Sequence, residues 1–395
     1  MNEWIIEEDY NDITLEEVFL AYYKCRKNKK NKLSCLEFDL DYETHLIKLW
    51  EEIKFGVYKV SPLSVFIVDK PVKREIFAAS FRDRIIHHLI VMKLEVLFEK
   101  EFIYDSYSCR VGKGTHFGIN RIEKFIRKCS NNYKDECYVL KLDIKGYFMS
   151  INKLLLFEKL KSFIKEKYFY FDRKQLLWLC QKIILNDDTK NCVKVVSDNR
   201  WIGLPKSKSL FYSKKNCGLP IGNYTNQVFA NFYLNSFDHF IKSELNIKYY
   251  GRYVDDFILL SNNKVELKKN ILKIRNFLKE MLGLELHPKK IYLQNINHGV
   301  EFLGSYIKPW RKYITPRIKN NFYLLVNDIN TLLDKELLNN NQIKEIQSRL
   351  NSYLGILVHS NTFFLRKKLL YKINNNFFNY YSYDFYKVKI NKKTK

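Results

Sequence analysis

The sequence predicts an α+β fold that combines an antiparallel sheet with separate helical segments. Three observations lead to this class. Residues 137–151 and 247–261 are strongly β-forming, and the second run has apolar stretches on both sides of a double Asp, which is typical of a hairpin. Apolar residues at helical spacing fill most of the chain around these runs. The segment from 316 onward is basic and helical, which predicts a helical C-terminal part.

Composition limits the class of protein. The chain has 395 residues, 46% of them apolar, so a large buried core is expected. It has 68 Lys and Arg against 43 Asp and Glu, a net charge of +25, which favours an anionic partner such as nucleic acid or an acidic membrane surface. No apolar run approaches the ~18 residues of a membrane span. Residues 1–18 are acidic and contain no Lys or Arg, unlike a secretory signal or transit peptide, which predicts a cytoplasmic protein.

The eight cysteines include no C-x-x-C pair and no Cys/His cluster. This pattern favours neither a zinc ribbon nor a disulfide scaffold. We therefore expect reduced thiols that serve mainly in packing.

The N-terminal third alternates between helix and strand patterns. Residues 13–56 have helical spacing interrupted by a basic loop at 24–32, and 57–81 alternate as strands. Lys70, Lys73 and Arg74 surround Pro71, as in a basic hairpin. Residues 82–102 form a helix with a buried face, on which His87 and His88 are interpreted as packing or capping residues and not as metal ligands.

The remaining elements follow in the same way. A helix at 118–130 precedes the first β-run, which places Asp143 at its exit. Helices are predicted at 153–184, from about 218 to 240 and at 264–283, with a polar connection at 185–217 and short strands at 291–308. We find no internal repeat and no Pro- or Ser-rich linker, so a single continuous body is expected.

Three carboxylates carry the chemistry: Asp143 at a strand exit, and Asp255 with Asp256 at a hairpin tip. An isolated Asp pair in a turn usually serves the turn itself. Here the flanking strands are destined for the core, where charges are costly unless they bind metals or partners. Carboxylates on neighbouring strands can hold two divalent ions for an in-line phosphoryl transfer, and Mg²⁺ suits this role because it prefers oxygen ligands.

The motifs around these residues resemble those of reverse transcriptases. KLDIKGYFMSI resembles the first palm motif, RYVDDFILL the Y-x-D-D motif, and GLPIGNYTNQVFANFYLN the motif that places template and nucleotide. KREIFAASFRDRIIHHLI, DSYSCRVGKGTHFGINRI and LHPKKIYLQNINHGVEFLGSYIKP extend the resemblance over roughly residues 60–310. It implies a right-hand polymerase fold with an antiparallel palm, fingers and a helical thumb.

Within that family the chain is most similar to the reverse transcriptases of diversity-generating retroelements. Most reverse transcriptases have Gln after Leu-Pro and end this motif in Ser-Pro, whereas this chain has Ile221 and ends in Asn226-Gln227. The retroelement enzymes also have an aliphatic residue and end in Ser-Gln, so Asn226 departs from their pattern. Phage-defence and retron-type enzymes remain alternatives.

The resemblance implies a role for each matched residue. Asp143, Asp255 and Asp256, with the backbone at Ile144, would hold two Mg²⁺ ions, for which Mn²⁺ could substitute. Phe148 would be the steric gate that selects dNTPs, with core packing as the alternative. The other expected roles are triphosphate clamping by Arg74 and Lys73, nucleotide contact by Ile221, Gly222 and Gln227, and primer grip by Phe302, Leu303 and Gly304. Lys290 or Lys289 would be a general acid or a plain phosphate contact.

The implied domains are fingers at 1–82, palm at 83–151, a fingers insertion at 152–217, palm at 218–310 and a helical thumb at 311–395. The implied activity is RNA-templated DNA synthesis, with an RNA/DNA heteroduplex and dNTPs as ligands, in a bacterial or phage retroelement. A small basic accessory protein is the expected partner, and no membrane is expected. An RNA-binding scaffold that does not polymerise is the alternative from another functional class.

Overall fold

The computed structural model describes residues 12–69, 72–334, 339–379, 381–384 and 388–392. Lys70 and Pro71 of the predicted basic hairpin lie outside these residues. The helices are α1 (Leu15–Arg26), α2 (Leu33–Asp39), α3 (Tyr42–Lys54), α4 (Phe81–Glu101), α5 (Thr115–Cys129), α6 (Tyr147–Ser150), α7 (Lys153–Lys167), α8 (Arg173–Ile184), α9 (Tyr224–Tyr233), α10 (Asn235–His239), α11 (Lys264–Leu282), α12 (Pro316–Asp334), α13 (Asn340–Leu357), α14 (Phe363–Leu370) and α15 (Asn375–Phe378).

The strands are shorter than most of the helices. In chain order they are β1 (Leu63–Val68), β2 (Arg74–Ala78), β3 (Tyr138–Asp143), β4 (Cys192–Lys194), β5 (Tyr249–Tyr253), β6 (Asp256–Ser261), β7 (Tyr292–Asn295), β8 (Val300–Phe302), β9 (Ser305–Lys308), β10 (Arg311–Ile314), β11 (Tyr381–Asp384) and β12 (Lys389–Lys392). Helices and antiparallel sheets are thus mixed as predicted, and the α+β class is confirmed.

The central sheet has the strand order β5-β6-β3-β7, and all three pairings are antiparallel. Its faces contact two different cores because successive side chains of a strand point to opposite faces. Leu142 and Leu259 belong to the main core, which the helices cover on one side. Val139 and Ile258 belong to a smaller core beneath α5 on the other side. Burial on both faces explains why the two β-runs are apolar without a clean alternation.

A second sheet, of order β2-β1-β4, covers the nucleotide-motif loop that precedes α9. β1 and β2 form the predicted hairpin, with Val68 paired to Arg74. β4 adds to β1 in parallel, starting at the pair Leu63 and Cys192. The sequence analysis missed β4 because the segment 185–217 is polar and β4 is only three residues long.

The C-terminal part is mainly helical, and it also contains short strands that the sequence analysis did not predict. β10 pairs with β9, so the expected boundary at 310/311 divides a hairpin. β11 and β12 form a second hairpin, in which Tyr381 and Ile390 enter a separate core shared with α12 to α15. Each of these two strands is four residues long and has one buried side chain, a signal too short to stand out in a helical segment.

The predicted basic loop at 24–32 is only partly a loop. Lys24, Cys25 and Arg26 belong to α1, with Cys25 fully buried, whereas residues 27–32 are largely solvent-exposed. The first β-run ends as a strand at Asp143, as predicted, although residues 147–150 form α6 after Gly146 (φ 55°). All eight cysteines are free thiols. Among the described residues, no helix is both long and apolar enough to cross a membrane.

Both histidines of α4 pack within the protein, as predicted. The His87 ring is 3% exposed, and its Nδ1 lies 2.7 Å from Thr225 Oγ1 on α9. The His88 ring packs against Tyr224 at a centroid distance of 4.9 Å. Burial, reinforced by the charges of His88 and Arg84, lowers the pKa of His87 to about 3.

We predict that the His87→Asn variant has a weaker pH dependence of stability. Between a pKa of about 3 in the folded chain and the ordinary value of 6.5, only unfolded His87 binds a proton. As far as His87 is concerned, the free energy of unfolding is therefore highest above pH 6.5. Below that pH it falls by about 1.4 kcal/mol per pH unit for one proton. Urea unfolding at several acidic pH values should show this slope reduced in the variant. An unchanged slope would contradict the assignment.

Candidate active site

The three predicted carboxylates meet at one end of the central sheet. Asp143 is the last residue of β3 and is the direct cross-strand partner of Asp256, the first residue of β6. Such partners have Cα atoms about 4.5–5.5 Å apart. Asp255 lies in the turn between β5 and β6, and its carbonyl accepts a hydrogen bond from the Ile144 N–H at 3.2 Å. The two strand ends are therefore fixed to each other by backbone contacts.

The turn that carries Asp255 has an unusual backbone. Tyr253 pairs with Asp256, so Val254 and Asp255 form a two-residue hairpin turn. Val254 has a φ of 56°, in the left-handed region where two-residue turns normally have Gly, Asn or Asp. A β-branched residue in this region is a true outlier, with a cost of about 1–3 kcal/mol. The surrounding structure must hold this conformation.

Arg252 supplies that support. Its side chain is fully buried and donates through Nε and Nη2 to the buried carboxylate of Asp238 on α10, at 2.7 and 2.5 Å. Its Nη1 donates to the Val254 carbonyl at 2.9 Å, and its Nη2 reaches the Asn231 carbonyl of α9 at 3.3 Å. One guanidinium thus connects two helices to the strained turn.

Two lysines lie against the carboxylates. Lys290 Nζ is 2.8 Å from Asp143 Oδ2, and Lys141 Nζ is 3.4 Å from Asp256 Oδ2. Burial, with the charge of Asp143, raises the pKa of Asp255 to about 6. Burial also raises the pKa of Asp256 to about 7, and the neighbouring charge of Lys141 only partly offsets this. Both carboxyl groups therefore take up a proton more readily than an exposed Asp does.

The donor set fits a divalent cation in its chemistry. Asp256 Oδ1 is buried and has no hydrogen-bond partner, and two of the carboxyl groups have raised pKa values. Bound cations are the usual way in which such carboxylates are compensated. In the described part of the chain, however, no three His, Cys, Asp or Glu side chains converge closely enough to hold a metal ion. Lys290 lies on Asp143 instead, so a cation there would have to displace it.

The structure distinguishes the two candidate general acids. Lys290 bonds Asp143, whereas Lys289 is exposed and its N–H donates to His287 Nδ1 at 3.2 Å. Partial burial lowers the pKa of Lys290, but the hydrogen bond and charge of Asp143 outweigh this effect, so its pKa is raised overall. Lys290 is therefore the lysine placed at the carboxylates.

The two clamp candidates have different surroundings. Arg74 is exposed at the start of β2, and its charge partly offsets the effects that raise the pKa of Asp255. Lys73 points elsewhere: its Nζ donates to the Ile202 carbonyl at 2.6 Å and lies 3.7 Å from Asp69. Arg74 is thus free to meet a ligand, and Lys73 is held within its own sheet region.

The loop before α9 lies directly against β2. The Phe77 N–H donates to the Ile221 carbonyl at 2.9 Å. Gly222 has a φ of 133°, and a Cβ there would lie 2.7 Å from the Phe77 carbonyl oxygen. Phe148 is partly buried between the main core and the β2 cluster, and its carbonyl accepts from Leu219 N–H at 2.8 Å. Phe148, Ile221 and Gly222, which are predicted to contact the sugar and base of the nucleotide, therefore lie close together beside β2.

The two residues that end the GLPIGNYTNQ motif differ in burial. Asn226 is buried, and its amide donates to the Pro220 carbonyl at 3.1 Å, which braces the loop from within. Gln227 is exposed, with its Oε1 3.4 Å from Cys109 Sγ. Gln227 is therefore accessible to a ligand, whereas Asn226 supports the loop that carries Ile221.

The predicted primer grip is a tight hairpin. Leu303 and Gly304 form the two-residue turn between β8 and β9, with φ values of 50° and 83°, as a type I′ turn requires. Both residues are partly exposed. Phe302 is fully buried in the core beneath α5, so its side chain supports the hairpin and is not available for contact with a primer.

The sequence analysis missed three residues that shape the site. Arg252 and Asp238 form the buried ion pair described above. Glu75, also buried, accepts hydrogen bonds from Trp201 Nε1, Ser209 Oγ and Leu210 N–H, which fixes the polar connection beside β2. Its position between Arg74 and the buried Phe77 in a strand pattern was the available signal, because an inward-facing carboxylate requires partners.

We predict that Gly222→Ala destabilises the fold more than Gly114→Ala. Gly114 has a similar φ of 121°, but a Cβ there would meet nothing within 4 Å, so it reports backbone strain alone. Gly222 adds a collision with the β2 backbone, which should cost at least about 1 kcal/mol more in urea unfolding. Equal losses for the two variants would show that β2 can move away freely.

Comparison with known proteins places this site in a family. The model of the family "Reverse transcriptase (RNA-dependent DNA polymerase)" matches residues 68–307, more than half of the chain. The COX1/OXI3 intron 2 protein of Saccharomyces cerevisiae is 23% identical over 343 residues, covering 75% of this chain and 38% of that protein. Protein YkfC of Escherichia coli is 23% identical over 290 residues, covering 65% and 69%. The chain thus spans well under half the length of the first relative.

Two solved structures are similar to this chain at a low level. Apo telomerase from Candida tropicalis, truncated from the C-terminal domain, has a TM-score of 0.48 and 16% identity, with 66% of this chain and 56% of that chain covered. Telomerase from Candida albicans, in complex with a TWJ fragment of telomeric RNA, has a TM-score of 0.48 and 13% identity, with 87% and 62% covered. On the family match, which contains all three aspartates, the chain belongs to the reverse transcriptase family.

Proposed function

We propose that the chain is an RNA-directed DNA polymerase that adds dNMP units to a primer 3′-hydroxyl. The observation that carries the proposal is the meeting of Asp143, Asp255 and Asp256 at paired strand ends, within the matched region of the family. Charged groups that are only structural would have their partners in the fold, whereas Asp256 has a buried oxygen without one.

The carboxylates, with the Ile144 backbone, are proposed to hold two divalent ions, Mg²⁺ or Mn²⁺. Bound there, such ions would lower the pKa of the 3′-hydroxyl and neutralise charge on the leaving pyrophosphate. Lys290 would leave Asp143 for the phosphates and donate a proton to the pyrophosphate as it departs. Its contact with Asp143 keeps it protonated and within reach.

The nucleotide would occupy the corner between β2 and the loop before α9. Arg74 is proposed to bind the triphosphate bidentately, while Lys73 braces the connection through the Ile202 carbonyl. Gly222 allows the backbone to approach the base pair closely, and Gln227 offers an exposed amide beside it. Phe148 would exclude a 2′-hydroxyl, since its partly buried position leaves it little freedom to move aside.

The domain assignment is also a proposal: fingers from 1–82 and 152–217, palm from 83–151 and 218–310, and a thumb from 311 onward. The thumb would contact the RNA/DNA heteroduplex by its basic surface. Leu303 and Gly304, at the palm edge, would position the primer end.

We propose error-prone copying of a structured RNA in a bacterial or phage diversity-generating retroelement, with a small basic accessory protein in the cytoplasm. The feature that favours this role is Ile221, which replaces a hydrogen-bonding amide near the nascent base pair with an aliphatic side chain. Loss of polar contacts weakens discrimination between substrates. A phage-defence or retron-type reverse transcriptase is the second candidate, and a scaffold that does not polymerise is disfavoured by the three intact aspartates.

We predict that the protein extends a DNA primer on an RNA template with Mg²⁺ and dNTPs, and that Asp255→Asn reduces the rate by at least about 10³-fold. The substitution keeps the shape of the turn and removes one ligand charge. Asp135→Asn, the same change at an exposed position before β3, serves as the matched control and should retain extension. Equal extension by wild type and Asp255→Asn would contradict the proposal.

We predict that Ile221→Gln lowers the error rate, with the largest change opposite template adenines. The added amide restores a hydrogen-bonding group beside the nascent pair and should improve discrimination by about tenfold or less. Sequencing of the products by template base measures this directly. An error spectrum identical to that of wild type would remove the proposed link, and faithful copying by wild type would favour the defence or retron role.

A further inference from the structure

A cavity of about 380 Å³ lies on the side of α5 and outside the site described above. We call it the basic pocket; it is lined by Arg121, Lys124 and Lys128 of α5, by Asp105, and by Lys248 and Tyr249 at the entry of β5. Tyr249 is four residues before Tyr253, the strand partner of Asp256, so the pocket is about 13 Å along the strand from the carboxylate end of the sheet. It is therefore separate from the nucleotide corner.

Helix α5 presents its cations on one face. Positions 121, 124 and 128 are spaced by three and four residues, so their side chains lie along the same side of the helix. Asn120 and Glu123 of the same helix contact the C-terminal part of the chain, because Lys312 Nζ lies 2.9 Å from a side-chain oxygen of each. The basic stripe is thus not shared with the C-terminal part of the chain.

Among the described residues, the lysines of the basic pocket have no partner of opposite charge. Its one carboxylate, Asp105, is already bound bidentately by Arg121 Nε and Nη2 at 2.6 and 2.9 Å. Lys124, Lys128 and Lys248 are exposed and form no ion pair with any described residue. Three like charges around one concave site repel each other and favour a polyanion.

Aromatic rings lie beside these charges. Tyr104, next to the pocket lining, is 61% exposed, and its ring centroid lies 4.9 Å from the Arg121 guanidinium carbon and 4.5 Å from Lys113 Nζ. Lys248 lies 5.6 Å from the Tyr249 ring centroid. Exposed rings next to cations are how proteins stack unpaired bases while binding the phosphates. A protein partner would need acidic side chains but would not explain the exposed Tyr104.

We infer that the basic pocket binds an unpaired segment of a folded RNA, through its phosphates and one stacked base, outside the templating cleft. The inference goes beyond the proposed function, which needs RNA only at the carboxylates. It implies that RNA is anchored by α5 while another part of the same molecule is copied.

The test compares two triple variants of the full chain with equal loss of charge. The pocket variant is Lys124→Gln/Lys128→Gln/Lys248→Gln. The control is Lys268→Gln/Lys269→Gln/Lys273→Gln, on exposed positions of α11. Fluorescence anisotropy with a labelled RNA stem–loop, without dNTPs, measures affinity as a function of salt concentration.

We expect the pocket variant to bind the RNA at least about tenfold more weakly than wild type. The slope of its affinity against salt concentration should be shallower, by an amount equal to about two phosphate contacts. The control should stay within about twofold of the wild-type affinity. Tyr104→Ser should weaken the stem–loop but not a fully paired RNA. UMP and a DNA duplex are the competitors, and neither should displace the RNA as well as unlabelled stem–loop does.

Several results would overturn the inference: equal losses in the two triple variants, full displacement by UMP or by DNA duplex, or loss of extension by the pocket variant on a short pre-annealed primer–template. The last result would place these lysines in the templating cleft. If the wild type does not polymerise, only the proposed function is contradicted, because RNA binding is measured without dNTPs.

Discussion

The buried ion pair between Arg252 and Asp238 is the interaction on which the site depends. Both side chains are completely shielded from solvent, and the guanidinium also donates to the carbonyl of Val254. A buried pair contributes little net stability over an apolar pair of the same shape, but removal of one partner leaves an uncompensated charge. The pair serves here to orient the site, because the Arg252 guanidinium that neutralises Asp238 also holds the strained turn that carries Asp255.

The opposing charges at the strand ends show a second constraint. Asp143, Asp255 and Asp256 lie at one end of the central sheet, where Lys290 contacts Asp143 and Lys141 contacts Asp256. Burial nevertheless raises the pKa of Asp255 and of Asp256, so the fold disfavours the charged form of both groups. Such sites are usually retained for their chemistry, since a structural cluster would be expected to satisfy its buried oxygens. The unpartnered Asp256 Oδ1 is the clearest sign of this in the structure.

Much of this arrangement could be predicted from the sequence. Asp143 and Asp255 were found because each ends or follows a strongly apolar strand, and the β5–β6 hairpin was found because the double Asp divides two such stretches. These are local patterns, which sequence periodicity reports well. The α+β class followed from the same signals.

Other features depend on contacts between distant segments. Arg252 and Asp238 are 14 residues apart, and nothing in either local pattern indicates that both are buried. The burial of Phe302 depends on α5, which lies far earlier in the chain. The β11–β12 hairpin was missed because four-residue strands carry too little periodicity to be distinguished from a helical segment. Local sequence propensity does not indicate such contacts between distant segments.

The most direct test of the account is a double-mutant cycle on Arg252→Met and Asp238→Leu, measured by urea unfolding and by primer extension. Each single variant should lose about 3–5 kcal/mol of stability, and the double variant should recover much of that loss because no charge is left buried. Extension should stay low in the double variant, because the Val254 carbonyl has lost its donor and Asp255 is no longer held in place. Full recovery of extension together with stability would contradict the account, since the ion pair would then be structural only.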